Sequence, residues 1–479
     1  MITTLSRNIY YSIVATFMAL SAVAIALGYW YFLLLPAVVL IAVLGIFRLD
    51  ILFYLSVAII PLSINLSETD FGFGFSMPSE PIIFGLMLLI VIKLLLHNTM
   101  DKRFIKHPVS IIIIFYLGWM FLTSATSHLP IVSFKYTLAR FTFIMVFFYF
   151  ASELFFKLKN ITKFVAAYLI LFCVVIIYTT LNHAAAHFTE KAAHNSMTPF
   201  YNDHTAYAVL VAMFIPVCIV MIIGKGFSII SRQWSFVALV LLITALLLSY
   251  TRAAWVGIAA AIACSLIFIF RISTQLISIS AIVAALFLLV NVNTIILNLE
   301  TNREQSSTDV GAHLQSITNI KTDPSNVERI NRWSCAWRLF LKRPITGWGP
   351  GTYQFVYGPF QLQKEKTVIS TLAGNRGNAH SEYLGPLSEQ GVPGTLLFVL
   401  LALATLITAS RVFIYGNNGN VKIIAAGLIL GLITYWVHGF LNNFLDTEKA
   451  AVPFFGFIAA IVSLDVFHTK PKNEVVPQL

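Results

Sequence analysis

Residues 234–270 read WSFVALVLLITALLLSYTRAAWVGIAAAIACSLIFIF. A bilayer core takes about 20 consecutive apolar residues in a helix. The stretch therefore reads as two membrane spans, interrupted only by Ser249-Tyr250-Thr251-Arg252. The rest of the chain repeats the pattern. Of 479 residues, 58% are hydrophobic and 11% charged, with a mean hydropathy of +0.84. A soluble domain carries about 25% charged residues. A folded chain of this size has too little interior to hide so much apolar surface. A soluble enzyme, a secreted disulfide scaffold and a disordered chain are thereby excluded.

Spans are expected near residues 10–28, 30–47, 50–65, 80–97, 109–127, 133–155, 161–181, 205–224, 234–250, 252–270, 275–295, 392–411, 421–440 and 449–467. The third is short and the ninth and tenth nearly merge, so the expectation is an all-α polytopic membrane protein with about 12–14 transmembrane helices. Residues 296–391 are polar and too long for a bare connection, so a small ordered subdomain is expected there. The chain then divides into an N-terminal bundle (1–295), a loop subdomain (296–391) and C-terminal spans with a tail (392–479). The apolar run after Arg7 resembles a signal peptide, but a second run begins at Trp30 and no cleavage site intervenes. A retained first span is expected.

Lys plus Arg number 31 and Asp plus Glu 20, a net charge of +11. Lys and Arg collect on the cytoplasmic side of membrane proteins. With the N-terminus inside, the inner segments hold Arg7, Arg48, Lys102, Arg103, Lys106, Lys157, Lys159, Lys163, Lys225, Arg232, Arg271, Arg411, Lys422, Lys470 and Lys472. The short outer segments hold only Lys191, Arg252 and Lys449. Both termini are therefore expected inside. No basic soluble domain suggests nucleic acid. Cys173, Cys218 and Cys264 lie in apolar runs and Cys335 stands alone, so no disulfide or metal framework follows.

Within the outer segment, Ser325-Asn326-Val327-Glu328 has capping-box form. Val327, Ile330, Trp333, Trp337, Phe340 and Leu341 recur behind it at helical spacing. Arg329, Arg332, Arg338, Lys342 and Arg343 share that helix, which reads as basic and amphipathic, on the outer membrane–water boundary. The cations form either a solvated face or a surface for anionic phosphates. Pro344-Ile345-Thr346-Gly347-Trp348-Gly349-Pro350-Gly351 follows and demands tight turns. Further on stand Asn378-Ala379-His380-Ser381-Glu382-Tyr383-Leu384 and Glu389-Gln390-Gly391-Val392-Pro393-Gly394. A lone His such as His380 is more often a structural hydrogen-bonder than a catalyst.

A charge inside a span costs roughly 3 kcal/mol on the insertion scale. Arg140 falls within the sixth span, with Lys135 and Tyr136 nearer its outer end. Acids at that depth are scarce, which tilts Arg140 toward a ligand anion. Arg252 lies at an outer span end, where interfacial snorkelling is the alternative to a role. Asp203-His204 precedes one span, as a helix cap or a sugar contact, and His438, Asn442, Asn443 and Asp446 line another outer turn. No P-loop, H-E-x-x-H, C-x-x-C or Gly-x-Ser-x-Gly motif is present.

These pieces together resemble the O-antigen ligase/polymerase superfamily of bacterial envelope enzymes. Four stretches carry the likeness: Phe200–Ala208; Thr251-Arg252-Ala253-Ala254-Trp255-Val256-Gly257; Trp333–Phe340 with Gly347-Trp348-Gly349; and His380-Ser381-Glu382-Tyr383-Leu384 with Glu389-Gln390-Gly391-Val392-Pro393-Gly394. One departure is Asp203-His204, where family members often show Pro-Asn. The resemblance implies glycan transfer outside the bacterial cytoplasmic (inner) membrane, with the active site on the periplasmic side. The donor it implies is a saccharide on undecaprenyl pyrophosphate. The acceptor is a sugar hydroxyl, on lipid A–core for a ligase or on another lipid-linked glycan for a polymerase. No metal and no cofactor are implied.

Without a divalent metal, arginine forks must neutralise the leaving pyrophosphate. Arg140, Arg252, Arg329 and Arg332 are the candidates. His380, matching the family signature, is the expected general base. Glu382, Tyr383, Glu389 and Asp203 are expected to orient it or bind sugar. Two other classes remain: a transporter or lipid flippase, which predicts broken helices and repeat symmetry, and an anchor subunit for another enzyme.

Overall fold

The computed structural model describes residues 4–29, 35–66, 76–97, 100–270, 324–362 and 377–469, with Ile279 and Val283 as single helical positions. The span expected near 275–295 therefore lies outside the described residues. So do Arg271, Lys470 and Lys472.

The chain falls into two compact units, Met1–Leu55 and Ser56–Leu479. The first holds α1 (Thr4–Ala26), α2 (Leu35–Phe47) and the start of α3 (Leu49–Ile59). The second holds nine helices long and apolar enough to cross a membrane, counted among the described residues. They are α4 (Ser79–His97), α5 (Pro108–Ala125), α6 (Pro130–Ile144), α7 (Leu158–Ala185), α8 (His204–Ile223), α9 (Ile229–Leu248), α12 (Leu384–Tyr415), α13 (Gly419–His438) and α14 (Glu448–His468). Helix α6 runs on through a π-helical turn, Met145–Phe150, and Ala151–Phe155. Between α9 and α12 come α10 (Arg252–Ile269), a shorter apolar helix, and α11 (Pro324–Lys342). The one strand pair among the described residues is antiparallel, β1 (Ile64–Asn65) with β2 (Ser76–Met77), and sets Ile64 opposite Met77. This is an all-α polytopic membrane protein.

Polar residues fix where the spans begin. Pro108 and Pro130 occupy first turns, where a missing N–H loses nothing. Asp203 caps α8 by accepting from Thr205 N and Ala206 N at 2.7 and 2.8 Å. Asn418 caps α13 from Val421 N at 3.0 Å. Such caps matter at a bilayer edge, because hydrocarbon offers orphan N–H groups no partner.

Helices in lipid gain little from hydrophobicity alone and associate through close packing. Helix α13 shows how. A Cβ on Gly431 would stand 2.4 Å from Met213 O of α8, and one on Gly257 of α10 would stand 2.8 Å from Thr434 O. Glycine thus lets α8 and α10 close onto α13. Helix α14 is the most enclosed of the nine. Its aromatic neighbours include Phe214, which lies 5.5 Å from Phe457, and Tyr435, which lies 5.2 Å from Phe454.

Candidate functional site

Alternation of the spans gathers the segments that precede α4, α6, α8, α10, α12 and α14 at one end of the second unit. Two of the sequence motifs meet there and hold each other. Helix α12 breaks at Gly391, whose φ of 67° and ψ of −167° are open to glycine. Pro393 has no N–H to offer Glu389 O, so that carbonyl is available. It accepts from Gly349 N at 2.7 Å, while Ser388 O accepts from Trp348 N at 3.1 Å. Val392 N donates back to Pro344 O at 2.9 Å, and Trp119 Nε1 donates to Gln390 O at 2.8 Å. A Cβ on Gly391 would lie 2.1 Å from Ile345 O, and one on Gly347 2.2 Å from the Glu389 carbonyl carbon. The Gly-Trp-Gly turn is therefore latched onto the break in α12.

Above the latch, α11 buries Cys335, Ala336 and Leu339 against Tyr353, Tyr357 and Ala379. Its apolar face, expected on a membrane surface, thus has protein for a partner, and Leu341 stays exposed. Its cations have separate fates. Arg338 Nη1 donates to Phe360 O at 2.7 Å, and Arg343 lies over the Trp348 ring at 4.6 Å. Arg332 Nε donates to Glu328 Oε1 at 2.9 Å, both groups buried, and Arg332 Nη1 donates to Asn378 O at 3.2 Å. That arginine is engaged in holding the His380 segment. Arg329 is the cation whose charge acts on His204, His380 and His438 together, and Asp203 acts on the same three with the opposite charge.

His380 sits at a left-handed φ of 48°. Its N–H donates to Asn378 Oδ1 at 3.1 Å and its carbonyl accepts from Trp333 Nε1 at 3.4 Å. Burial, then Arg329 and Arg332, pull its imidazole down from 6.5 to about 4. The ring is neutral at neutral pH and can accept a proton. Around it, the rings of His194 and His204 stack at 4.2 Å. Thr251 Oγ1 donates to His204 O at 3.4 Å, which places exposed Arg252, the first residue of α10, beside this group. His438, 1% exposed, accepts at Nε2 from Asn442 Nδ2 at 3.1 Å.

Arg140 lies elsewhere, on the inner side of α6. It is 4% exposed, donates to Tyr136 Oη at 2.9 Å and has Tyr116 and Glu382 as its next electrostatic neighbours. No carboxylate among the described residues reaches ion-pair distance of it.

The expected orienting residues are occupied. Glu382 Oε1 accepts from Tyr435 Oη at 2.6 Å, Phe444 N at 2.7 Å and Leu445 N at 2.9 Å. It ties the His380 segment to the turn before α14. Tyr383 Oη donates to Trp436 O at 3.0 Å, its ring stacked on Phe440 at 4.2 Å. Glu389 Oε1 accepts from Tyr353 N at 2.9 Å. Asp203 caps α8 as above.

Asp203 also lines a cavity of about 230 Å³. Asn202, Asn378, Asn443, Asp446 and Glu448 line it too. Asp446 is exposed on its open side. Lys449, at the cavity wall, is committed: Nζ donates to Ser63 O at 2.7 Å and to Phe200 O, and lies 4.4 Å from the Tyr201 ring centroid. A buried lysine on the face where lysines are rare was the signal for this tie. The cluster near 438–446 was visible in the sequence only as an outer turn; its place beside residues 202–203 and 378 comes from the fold. No group of three or more His, Cys, Asp or Glu suited to a metal ion occurs among the described residues.

The fold and site define a multi-pass helical membrane protein. At one end a histidine–arginine cluster adjoins a cavity of carboxylates and carboxamides. Residues 237–399 match the sequence profile of the O-antigen ligase family. That stretch holds Arg252, Arg329, Arg332, His380, Glu382, Tyr383 and Glu389. The match supports the O-antigen ligase/polymerase superfamily, and with it glycosyl transfer of that type in general. No curated protein matches the chain.

Proposed function

We propose that the protein is a metal-independent, inverting glycosyltransferase of the bacterial inner membrane, with both termini cytoplasmic and the site periplasmic. It takes a glycan from an undecaprenyl-pyrophosphate donor and gives it to a sugar hydroxyl, as an O-antigen ligase does with lipid A–core. The observation that carries this reading is His380, held neutral near Arg329, two residues from Asn378 in the wall of a polar cavity. The acceptor hydroxyl gives its proton to His380 as its oxygen bonds to the anomeric carbon. The bond from that carbon to the pyrophosphate oxygen breaks, and its electron pair leaves with the lipid pyrophosphate. Arg329 and Arg252 take up the charge of the leaving group. Arg332 acts mainly by fixing Asn378, and Arg140 serves phosphates or sugar from the bundle side. A bound pyrophosphate offsets the arginine charges that depress His380, so the base strengthens when the donor is in place.

The test is transfer by the purified protein in lipid nanodiscs, with lipid-linked donor and lipid A–core acceptor. His380→Ala is expected to abolish formation of the glycan ladder at normal protein levels. Growth of the lipid-linked chain in place of whole transfer would identify a polymerase. Movement of the donor across the bilayer with no bond broken would refute the enzyme reading and favour a flippase.

A further inference from the structure

We infer that the cavity lined by Asn202, Asn378, Asn443, Asp203, Asp446 and Glu448 is the acceptor subsite, and that it selects a sugar unit without an anionic substituent. The inference rests on the transferase reading for the word acceptor, while the sugar selectivity rests on the cavity alone.

The cavity comes from four separated parts of the chain, and their side chains share a chemistry. Carboxamides donate and accept; carboxylates accept. A sugar hydroxyl does both, so the wall is complementary to a polyol. Two carboxamides are uncommitted. Asn202 is exposed at the cavity, and Asn443 Oδ1 is buried with no hydrogen-bond partner among the described residues. A carboxamide left unsatisfied in a protein costs about 1–3 kcal/mol. Turning Asn443 toward a ligand therefore loses nothing. Phe200 and Phe444 supply apolar surface for the carbon-bound hydrogens of a ring.

Charge decides which sugars fit. The lining holds one cation against Asp203, Asp446 and Glu448, Lys449, whose ammonium is spent on Ser63 O and Phe200 O; Arg140 acts on Asp446 from the bundle side. Glu80 stands against Glu448 behind the wall, and the two carboxyls share a hydrogen bond. A phosphate or uronate on the bound sugar would meet like charge, which costs several kcal/mol at close range. The same argument keeps the donor pyrophosphate out of the cavity and on the Arg329 side. Asn378 lines the cavity while its Oδ1 accepts from His380 N at 3.1 Å, so the His380 segment adjoins the cavity wall. A hydroxyl in the cavity thus has the base next to it and the leaving group beyond.

Binding is read directly, by saturation-transfer NMR on the full chain in nanodiscs. The probes are the methyl glycosides of glucose, galactose and N-acetylglucosamine, with glucuronic acid and glucose 6-phosphate as anionic counterparts. At least one neutral glycoside is expected to bind, and the anionic sugars at least tenfold more weakly. Asn202→Ala and Asn443→Ala should each weaken the neutral sugar several-fold, whereas Lys342→Gln should leave it unchanged. Equal or tighter binding of the anionic sugars overturns the inference. So does full binding by both Asn variants, loss of binding in Lys342→Gln, or no neutral glycoside binding even in large excess. Sugar binding with these dependences, in a protein that breaks no donor bond, refutes the transferase reading and leaves the sugar site standing.

Discussion

His380 offers a prediction whose size follows from its surroundings. Its imidazole is lowered from 6.5 to about 4, by burial first and by Arg329 and Arg332 after it. At pH 7 such a ring is protonated in on the order of one molecule in a thousand, against about one in four for an ordinary histidine. The base is therefore ready across the whole neutral range. Its loss shows only in acid, where kcat/KM reports the free enzyme's base. The acid limb of the kcat/KM profile is expected near pH 4. Arg329→Gln removes one of the two cations but not the burial, so the limb should rise by roughly one pH unit, about 1.4 kcal/mol. The assay is transfer in nanodiscs over the acid and neutral range, with released lipid pyrophosphate measured directly. Lys342→Gln makes the same charge change at the exposed end of α11 and should leave the limb in place. A wild-type limb near 6.5 would refute the reasoning. So would equal movement in the two variants.

Other expectations concern stability and can be read by thermal unfolding in detergent or nanodiscs. Gly391→Ala forces a left-handed residue and a contact 2.1 Å from Ile345 O, and should destabilise by about 2–4 kcal/mol, with Gly347→Ala close behind. Glu382→Ala leaves Phe444 N, Leu445 N and Tyr435 Oη without their acceptor and should lower stability by roughly 2–5 kcal/mol; Glu382→Gln should recover much of it. Glu328→Gln strands Arg332 and should cost about 3–5 kcal/mol, while the double replacement of Glu328 and Arg332 by Gln and Met should cost much less. Arg140→Met removes one hydrogen bond, to Tyr136, and is expected to keep or raise the unfolding temperature while raising the donor KM several-fold. An unchanged donor KM would take Arg140 out of substrate binding.

The spans were legible because a bilayer imposes a length and a polarity on every segment that crosses it. The motifs were visible as motifs but not as partners. Nothing in Gly347-Trp348-Gly349 says that its N–H groups go to Ser388 and Glu389, because the pairing depends on a helix break that frees those carbonyls. Arg332 was readable from Glu328 four residues before it, a spacing that pairs charges on a helix. Arg329, three residues earlier, projects elsewhere and meets the histidines. His438 and Asp446 were in view as an outer turn. Their nearness to Asp203 and Asn378 arises from the meeting of three spans, which no local pattern encodes.

Arg140 also bears on how the protein is made. Helix α6, with its continuation to Phe155, has a mean hydropathy of 1.5, the lowest of the nine. An arginine adds about 3 kcal/mol against insertion at a span centre. This segment is thus a poor candidate to leave the translocon alone. It needs α5 beside it, where Ser124 Oγ and Thr137 Oγ1 meet at 2.8 Å. Assembly of the site then begins during synthesis, as a helical pair that enters the membrane together. A change on α5 that loosens the pair would appear first as a misthreaded chain, before any question of catalysis arises.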